Sequence, residues 1–196
     1  MERSDIDLMS ASKAGDTRAF DELVGRYADR IYAFVLRLSG DANTAADAAQ
    51  ETFIKVWKNR KKYQAGRNVS PWIFAIARNA TFDLLRKKKD RAFSSIQSDD
   101  AGDVGESIPD ESIDIPEGFD RRKFAELLEE TIETLTPNQR AVVMLHDVEG
   151  MTFDEAGEAL GKPLNTVKSH YRRAIAALRI KLGSKLAGRP GPHQNR

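Results

Sequence analysis

Apolar residues recur along this chain at spacings of three and four, in runs separated by short polar breaks. Phe20, Leu23, Val24, Tyr27, Ile31, Phe34, Val35 and Leu38 keep that rhythm, which predicts an amphipathic helix opened by Asp16 and stopped at Gly40 and Asp41. A second helix is predicted over about 44–58, with Ala45, Ala49, Phe53, Val56 and Trp57 inward. Ser70 and Pro71 make a good helix start, because proline suits the first turn. Trp72, Ile76, Ala80 and Leu84 then form the buried stripe of a third helix, with Phe74 and Phe82 on its flanks. Helices resume near residue 121, where Phe124, Leu127, Leu128, Ile132 and Leu135 are the apolar set. Thr136 and Gln139 have capping-box spacing with Pro137 between them, opening a helix to about Val148.

The most informative pattern lies at 152–181. Thr152 and Glu155 form another capping box, and Phe153, Ala156, Gly157 and Leu160 share one face. Gly161 and Pro163 stop this helix. A longer one is predicted from an N-cap near Asn165 to about Lys181, with Val167, Tyr171, Ala174 and Leu178 along one side. Thr166, Lys168, Ser169, His170, Arg172 and Arg173 are its candidate contacts. Short helix, glycine-containing break, and longer helix with a basic, hydroxyl-bearing face make a helix-turn-helix, whose second helix enters the DNA major groove. Lysine and arginine neutralise phosphates or read guanine edges, and serine and threonine bond to either. A helical hairpin with a solvated cationic face would show the same residues.

Composition narrows the class. With 40% hydrophobic and 31% charged residues among 196, the chain has material for one medium or two small domains. No run approaches the roughly 20 apolar residues of a membrane span, and the first residues lack the apolar centre of a signal peptide. There is no cysteine, and His146, His170 and His193 lack metal-ligand spacing. No metal or cofactor is therefore expected, and the cytoplasm is the expected location. The net charge of +1 conceals a segregation. Residues 1–91 hold 18 Lys/Arg and 12 Asp/Glu (+6), residues 92–120 none and 9 (−9), and residues 121–196 hold 13 and 9 (+4). The acidic middle, rich in Ser, Asp, Gly and Pro, reads as a flexible linker, and residues 184–196 as a disordered tail. The expected architecture is all-α: two small helical domains, 10–91 and 121–183, joined by that acidic linker.

Two clusters in the first domain carry candidate chemistry. Asp47, Gln50 and Glu51 share one face of the second helix. No nucleophile or phosphate-binding loop accompanies them, so a docking surface for a basic partner is the functional alternative to a plain solvated face. From residue 58 onward, Lys61, Lys62, Tyr63, Arg67, Arg78 and Asn79 interleave cations with aromatic and polar groups, and Arg86, Lys87, Lys88 and Lys89 follow. Such a mixture suits single-stranded nucleic acid, with cations along the backbone and rings stacked on unpaired bases. Tyr63, in a polar loop, is the aromatic least easily explained as core.

DAAQETFIKVW (47–57) followed by SPWIFAIARNATFDLLRKKK (70–89) resembles the second domain of a bacterial RNA polymerase sigma factor. LTPNQRAVVMLHDVEGMTFDEAGEALGKPLNTVKSHYRRAIAALR (135–179) resembles the fourth. Only these two are present, in the order of the extracytoplasmic-function group. The resemblance implies that Asp47, Gln50 and Glu51 dock on the β′ clamp of core polymerase, with a further contact to the β flap. It implies that 61–79 takes up the melted −10 strand with phosphates held by Arg86 to Lys89, and that 166–173 reads the −35 duplex. It also implies an anti-sigma partner, a linker threaded near the RNA path, and no direct membrane insertion. The loop QAGRNVSPW and the pair His170-Tyr171 depart from the usual family forms, so base contacts and promoter sequence are not transferred. A helix-turn-helix regulator that is not a polymerase subunit remains the alternative; it would normally carry a sensing domain upstream. A nucleic-acid enzyme would need a nucleophile or a metal-binding carboxylate cluster, and neither is visible.

Overall fold

In a computed structural model, residues 3–91 and 121–187 are described; the expected linker and most of the expected tail lie outside the described residues. Among the described residues the chain is helical throughout: α1 (Asp5–Ala14), α2 (Thr17–Ser39), α3 (Ala42–Asn59), α4 (Val69–Arg91), α5 (Arg121–Ile132), α6 (Pro137–Val143), α7 (Phe153–Leu160) and α8 (Leu164–Ala187). The all-α class and the two helical units follow the hydrophobic pattern.

Local chemistry sets the helix ends. Asp16 accepts from the backbone N–H groups of Arg18 and Ala19 and opens α2, and Asp41 accepts from Thr44 and opens α3. The capping boxes at Thr136/Gln139 and Thr152/Glu155 are both formed. These carboxylates are more acidic than usual for physical reasons. Asp16 is held down first by the Ala19 amide, Asp41 first by the Thr44 hydroxyl and then by Lys88, and Glu155 first by the Thr152 amide. Helix α1 was not foreseen. It is short, yet Ser4 and Asp7 form a capping box and Leu8 and Met9 are fully buried.

Three predicted details change. α8 begins at Leu164, so Asn165 lies inside its first turn, and Pro163 O accepts from Val167 N. α8 also continues through Ala187, because Leu182 packs with Leu127, Leu135, Val143, Ala174 and Leu178. The helix expected to reach Val148 instead turns wide at Met144–Val148, where Glu149 N–H bonds to Met144 O across five residues. That π turn aims the His146 ring onto Phe153, stacked at 4.1 Å.

Helix α4 departs most from its predicted stripe. Val69, Ile73, Phe74 and Ala77 are at most 1% exposed, so Phe74 is core and not a flank. The reason is that α4 is covered twice, by α2 and α3 on one side and by α7 on the other. One apolar cluster therefore runs through both units, from Leu23, Phe34 and Val56 through Phe74 to Leu145, Ala156, Leu160 and Val167. Phe34 meets Phe74 edge to face at 5.1 Å.

Two outcomes follow. A Cβ on Gly157 would lie 2.9 Å from the Lys162 carbonyl oxygen, so Gly157→Ala should destabilise the chain by about 1–3 kcal/mol in urea unfolding, the cost of overpacking a rigid site. The capping carboxylates titrate below their unfolded values, so their contribution is complete above about pH 5. It should be lost as pH falls further, and thermal melts from pH 7 to 3 should show a flat upper limb and a falling acid limb.

Candidate nucleic-acid and partner interfaces

Helices α3 and α4 run side by side and leave an open groove of about 520 Å³. Asp47, Gln50 and Glu51 line it, as the spacing predicted, and so do Ile54, Asp83, Leu84, Arg86 and Lys87. Ile54 is 39% exposed. Lys55 stands between Glu51 at 3.7 Å and Asp83 at 3.4 Å, and Arg86 pairs with Asp83 at 2.9 Å. The surface is thus an apolar floor of Ile54 and Leu84 with a mixed rim, Asp47, Glu51 and Asp83 beside Lys55, Arg86 and Lys87. Sequence reading found the trio but missed Ile54 and Asp83. Ile54 sits three residues after Glu51, a spacing that would have placed it on the same face.

The proposed strand-reading surface is built differently from its prediction. Tyr63 is 3% exposed. Its hydroxyl donates to Arg67 O, its ring lies 5.5 Å from Trp72, and burial raises its phenol pKa. The ring is therefore not presented for base stacking; it holds the loop in shape. Two further anchors come from α1: Lys13 Nζ donates to Tyr63 O at 2.8 Å, and Arg60 Nε donates to Ser12 O at 3.1 Å. The Arg60 guanidinium also covers the Trp57 ring at 3.7 Å. Lys61, Lys62 and Arg67 remain exposed on this frame.

Arg78 and Asn79 lie on α4. Asn79 is exposed, whereas Arg78 is half-buried, lies over Phe82 at 5.1 Å and has its pKa lowered by burial. The basic end of α4 does not continue this patch uniformly. Arg86 and Lys87 face the α3–α4 groove, and Lys88 bonds to Asp41 at 2.9 Å. Lys89 is in the last turn of α4, and its side chain lies outside the described residues.

The helix-turn-helix closes tightly through Gly161, at φ +60°, and a Lys162 N to Gly157 O bond of 3.0 Å. On α8, Lys168 and Arg172 are exposed and Thr166, Ser169 and Arg173 half-exposed, so five predicted contacts share an outward surface. His170 does not. It is 7% exposed, on the inward side with Val167 and Ala174, and is corrected from a DNA contact to a packing residue. Tyr171 OH donates to Asp147 at 3.0 Å; burial first and that bond second push its pKa up to about 12. No group of His, Cys, Asp or Glu suited to a metal is present among the described residues, and no described helix is long and apolar enough to cross a membrane.

Residues 23–91 match the sigma-70 region 2 family and residues 125–178 the sigma-70 region 4 family. The chain is 32% identical to the ECF RNA polymerase sigma factor SigW of Bacillus subtilis, over 87% of this chain and 92% of that protein. It is also 32% identical to the ECF sigma factor SigE of Mycolicibacterium smegmatis, over 82% of this chain but 60% of that longer protein. The fold matches CnrH, solved with the cytosolic domain of CnrY, at TM-score 0.65 with 23% identity, covering 93% and 99% of the two chains. It also matches the sigma factor RpoE solved with the anti-sigma factor NepR from Bartonella quintana, at TM-score 0.61 with 22% identity, covering 83% and 96%.

The α1 anchor yields a test. Lys13→Ala removes a charge-assisted bond to a main-chain oxygen, a bond worth about 1.5–3 kcal/mol, and should speed amide hydrogen exchange at 60–67 while leaving α8 unchanged. With both family matches in sequence order and this relative spanned nearly end to end, the chain belongs to the ECF group of RNA polymerase sigma factors.

Proposed function

We propose that the chain docks on core RNA polymerase through the α3–α4 groove and carries it to promoters through two separate DNA readers. As a sigma factor it acts in promoter-directed transcription initiation with RNA polymerase; the residue assignments are the proposal. The observation that carries them is spatial separation: the Ile54-floored groove, where carboxylates and cations alternate, opens between α3 and α4, whereas outward cationic surfaces lie on the 60–68 loop and on α8. A protein needing only DNA has no use for an exposed Ile54 ringed by Asp47, Glu51 and Asp83. Asp47, Gln50 and Glu51, with Ile54 among them, meet a basic helical partner, the β′ clamp, and the second unit contacts the β flap.

In the −10 role, Lys61, Lys62 and Arg67 follow the melted strand, with Asn79 and Arg78 nearby, and Trp72 and Tyr63 support the loop from beneath. Bases extruded there cost a few kcal/mol that contacts to the loop offset. In the −35 role, Lys168 and Arg172 meet the duplex, with Thr166, Ser169 and Arg173 beside them. The work is binding and melting, without covalent catalysis. The setting is the cytoplasm, and an anti-sigma factor binds the chain when it is idle; the neighbour RpoE was solved in complex with one, NepR.

Run-off transcription with purified core polymerase on fragmented genomic DNA, with RNA 5′ ends mapped, tests this reading. Start sites sharing two upstream motifs at fixed spacing are expected only when the protein is added. Asp47→Arg with Glu51→Arg should cut initiation at least tenfold while leaving the fold intact by circular dichroism. Duplex binding without any polymerase-dependent start would sink the proposal.

A further inference from the structure

Helix α1 precedes the stretch matched to the sigma-70 region 2 family, which begins at residue 23, yet its last turn reaches the loop assigned to the melted strand. It packs on α2 and also touches α4 and the turn Arg60–Lys62. Two cations cross this contact in opposite directions. Arg60, at the end of α3, donates from Nε to Ser12 O at 3.1 Å and from Nη1 to Trp57 O at 2.7 Å. One guanidinium thereby supplies donors to the end carbonyls of two helices, which their own ladders leave short of partners. Lys13 reaches back from α1 and donates to Tyr63 O at 2.8 Å. Tyr63 carries the hold across the loop, since its hydroxyl donates to Arg67 O and its ring lies 5.5 Å from Trp72. Residues 64–67 are thus a short bow pinned at both ends through one buried side chain, with Lys61, Lys62 and Arg67 exposed around it.

We propose that α1 is the buttress of the strand-reading loop, and that Lys13, together with Arg60, is a positioning residue for capture of the melted −10 strand. This rests on the strand-reading role of that loop. Lys13 acts through the loop and not by touching DNA: its side chain is half-buried and its ammonium is committed to a main-chain oxygen. A bond from a charged donor is stronger than a neutral one, and this one fixes the residue on which the rest of the loop depends. Arg60 is itself held, because its guanidinium lies over the Trp57 ring at 3.7 Å and that ring meets Phe20 of α2 at 5.0 Å. Without the bracket, five exposed residues from Gln64 to Asn68, with Gly66 at φ +84°, are freed to leave the binding shape. A strand must then order the loop as it binds, and its apparent affinity falls by the fraction of molecules in the competent form. Lys13 does not line the α3–α4 groove and lies on a different unit from α8, so polymerase docking and duplex reading are left intact.

The test uses the full chain assembled with core polymerase and two labelled fragments from a start site mapped by run-off. One is a fork, duplex through −35 and single-stranded on the non-template strand over −10; the other is the upstream duplex alone. Lys13→Ala should weaken fork binding about fivefold or more while binding of the upstream duplex and of core polymerase stays within about twofold. The fork deficit should be the same at about 50 and about 200 mM salt, because a lost phosphate contact would flatten the salt dependence and a lost carbonyl contact would not. Asp5→Ala controls for stability: it removes the bonds from Arg26 and Tyr27 that hold the start of α1 and leaves the loop bracket in place. It should lower the melting temperature yet bind the fork like the wild-type chain. Fork binding unchanged in Lys13→Ala, a deficit that shrinks with salt, or an equal deficit in Asp5→Ala would each overturn the buttress. A wild-type complex that binds the fork no better than the upstream duplex would instead overturn the strand-reading role of the loop.

Discussion

Helix α4 is buried on two sides, and the rest of the molecule is arranged around that double burial. One side closes the bundle of α1, α2 and α3; the other receives α7. Phe74, fully buried and edge-on to Phe34, belongs to an apolar cluster that no longer respects the boundary between the two family regions. Removing apolar area from water is the main driving force available to so charged a chain. The first unit thereby gains core from the second, and the second gains a floor that its own short helices would not provide.

Polar links around this interface are of another kind. Arg67 and Glu158 remain more than half exposed, and exposed pairs contribute about 0–1 kcal/mol each. Arg30 with Glu149 is the exception, because Glu149 is nearly buried there and the π turn at Met144–Val148 delivers it. Exposed charges thus set which surfaces face one another, while the apolar cluster supplies the hold. Such a contact is specific without depending on strong ion pairs.

The helices were legible because their signals are local. Asp16, Thr136/Gln139 and Thr152/Glu155 cap as their spacing predicted, and the apolar stripes of α2, α7 and α8 point inward. Asp47, Gln50 and Glu51 fall on one groove for the same reason. What stayed hidden depends on contacts distant in sequence. Tyr63 looked like an exposed ring until Lys13, fifty residues earlier, fixed its loop. Phe74 fell outside the predicted stripe because the covering of α4 by α2, α3 and α7 is set by contacts distant in sequence. His170 follows a similar logic: it falls within the 166–173 stretch expected to read DNA, yet it is buried on the side of Val167 and Ala174. Helix α1 was missed although Ser4 and Asp7 carried a capping signal, since so short an apolar pattern gives little periodicity to detect.

The arrangement also explains why an acidic residue set belongs inside a DNA-binding module. Glu155 already has a local task, since its carboxylate closes the capping box of α7 by bonding Thr152 N–H at 2.9 Å. The same group accepts from Asn68, so the feature that starts the helix also orients it on α4. Glu158, one turn further along, extends this edge to Arg67. The recognition face of α8, with Lys168 and Arg172, stays outward and basic. One helix-turn-helix therefore presents two opposite charges on two faces, a basic one outward on α8 and an acidic one against Arg67 and Asn68.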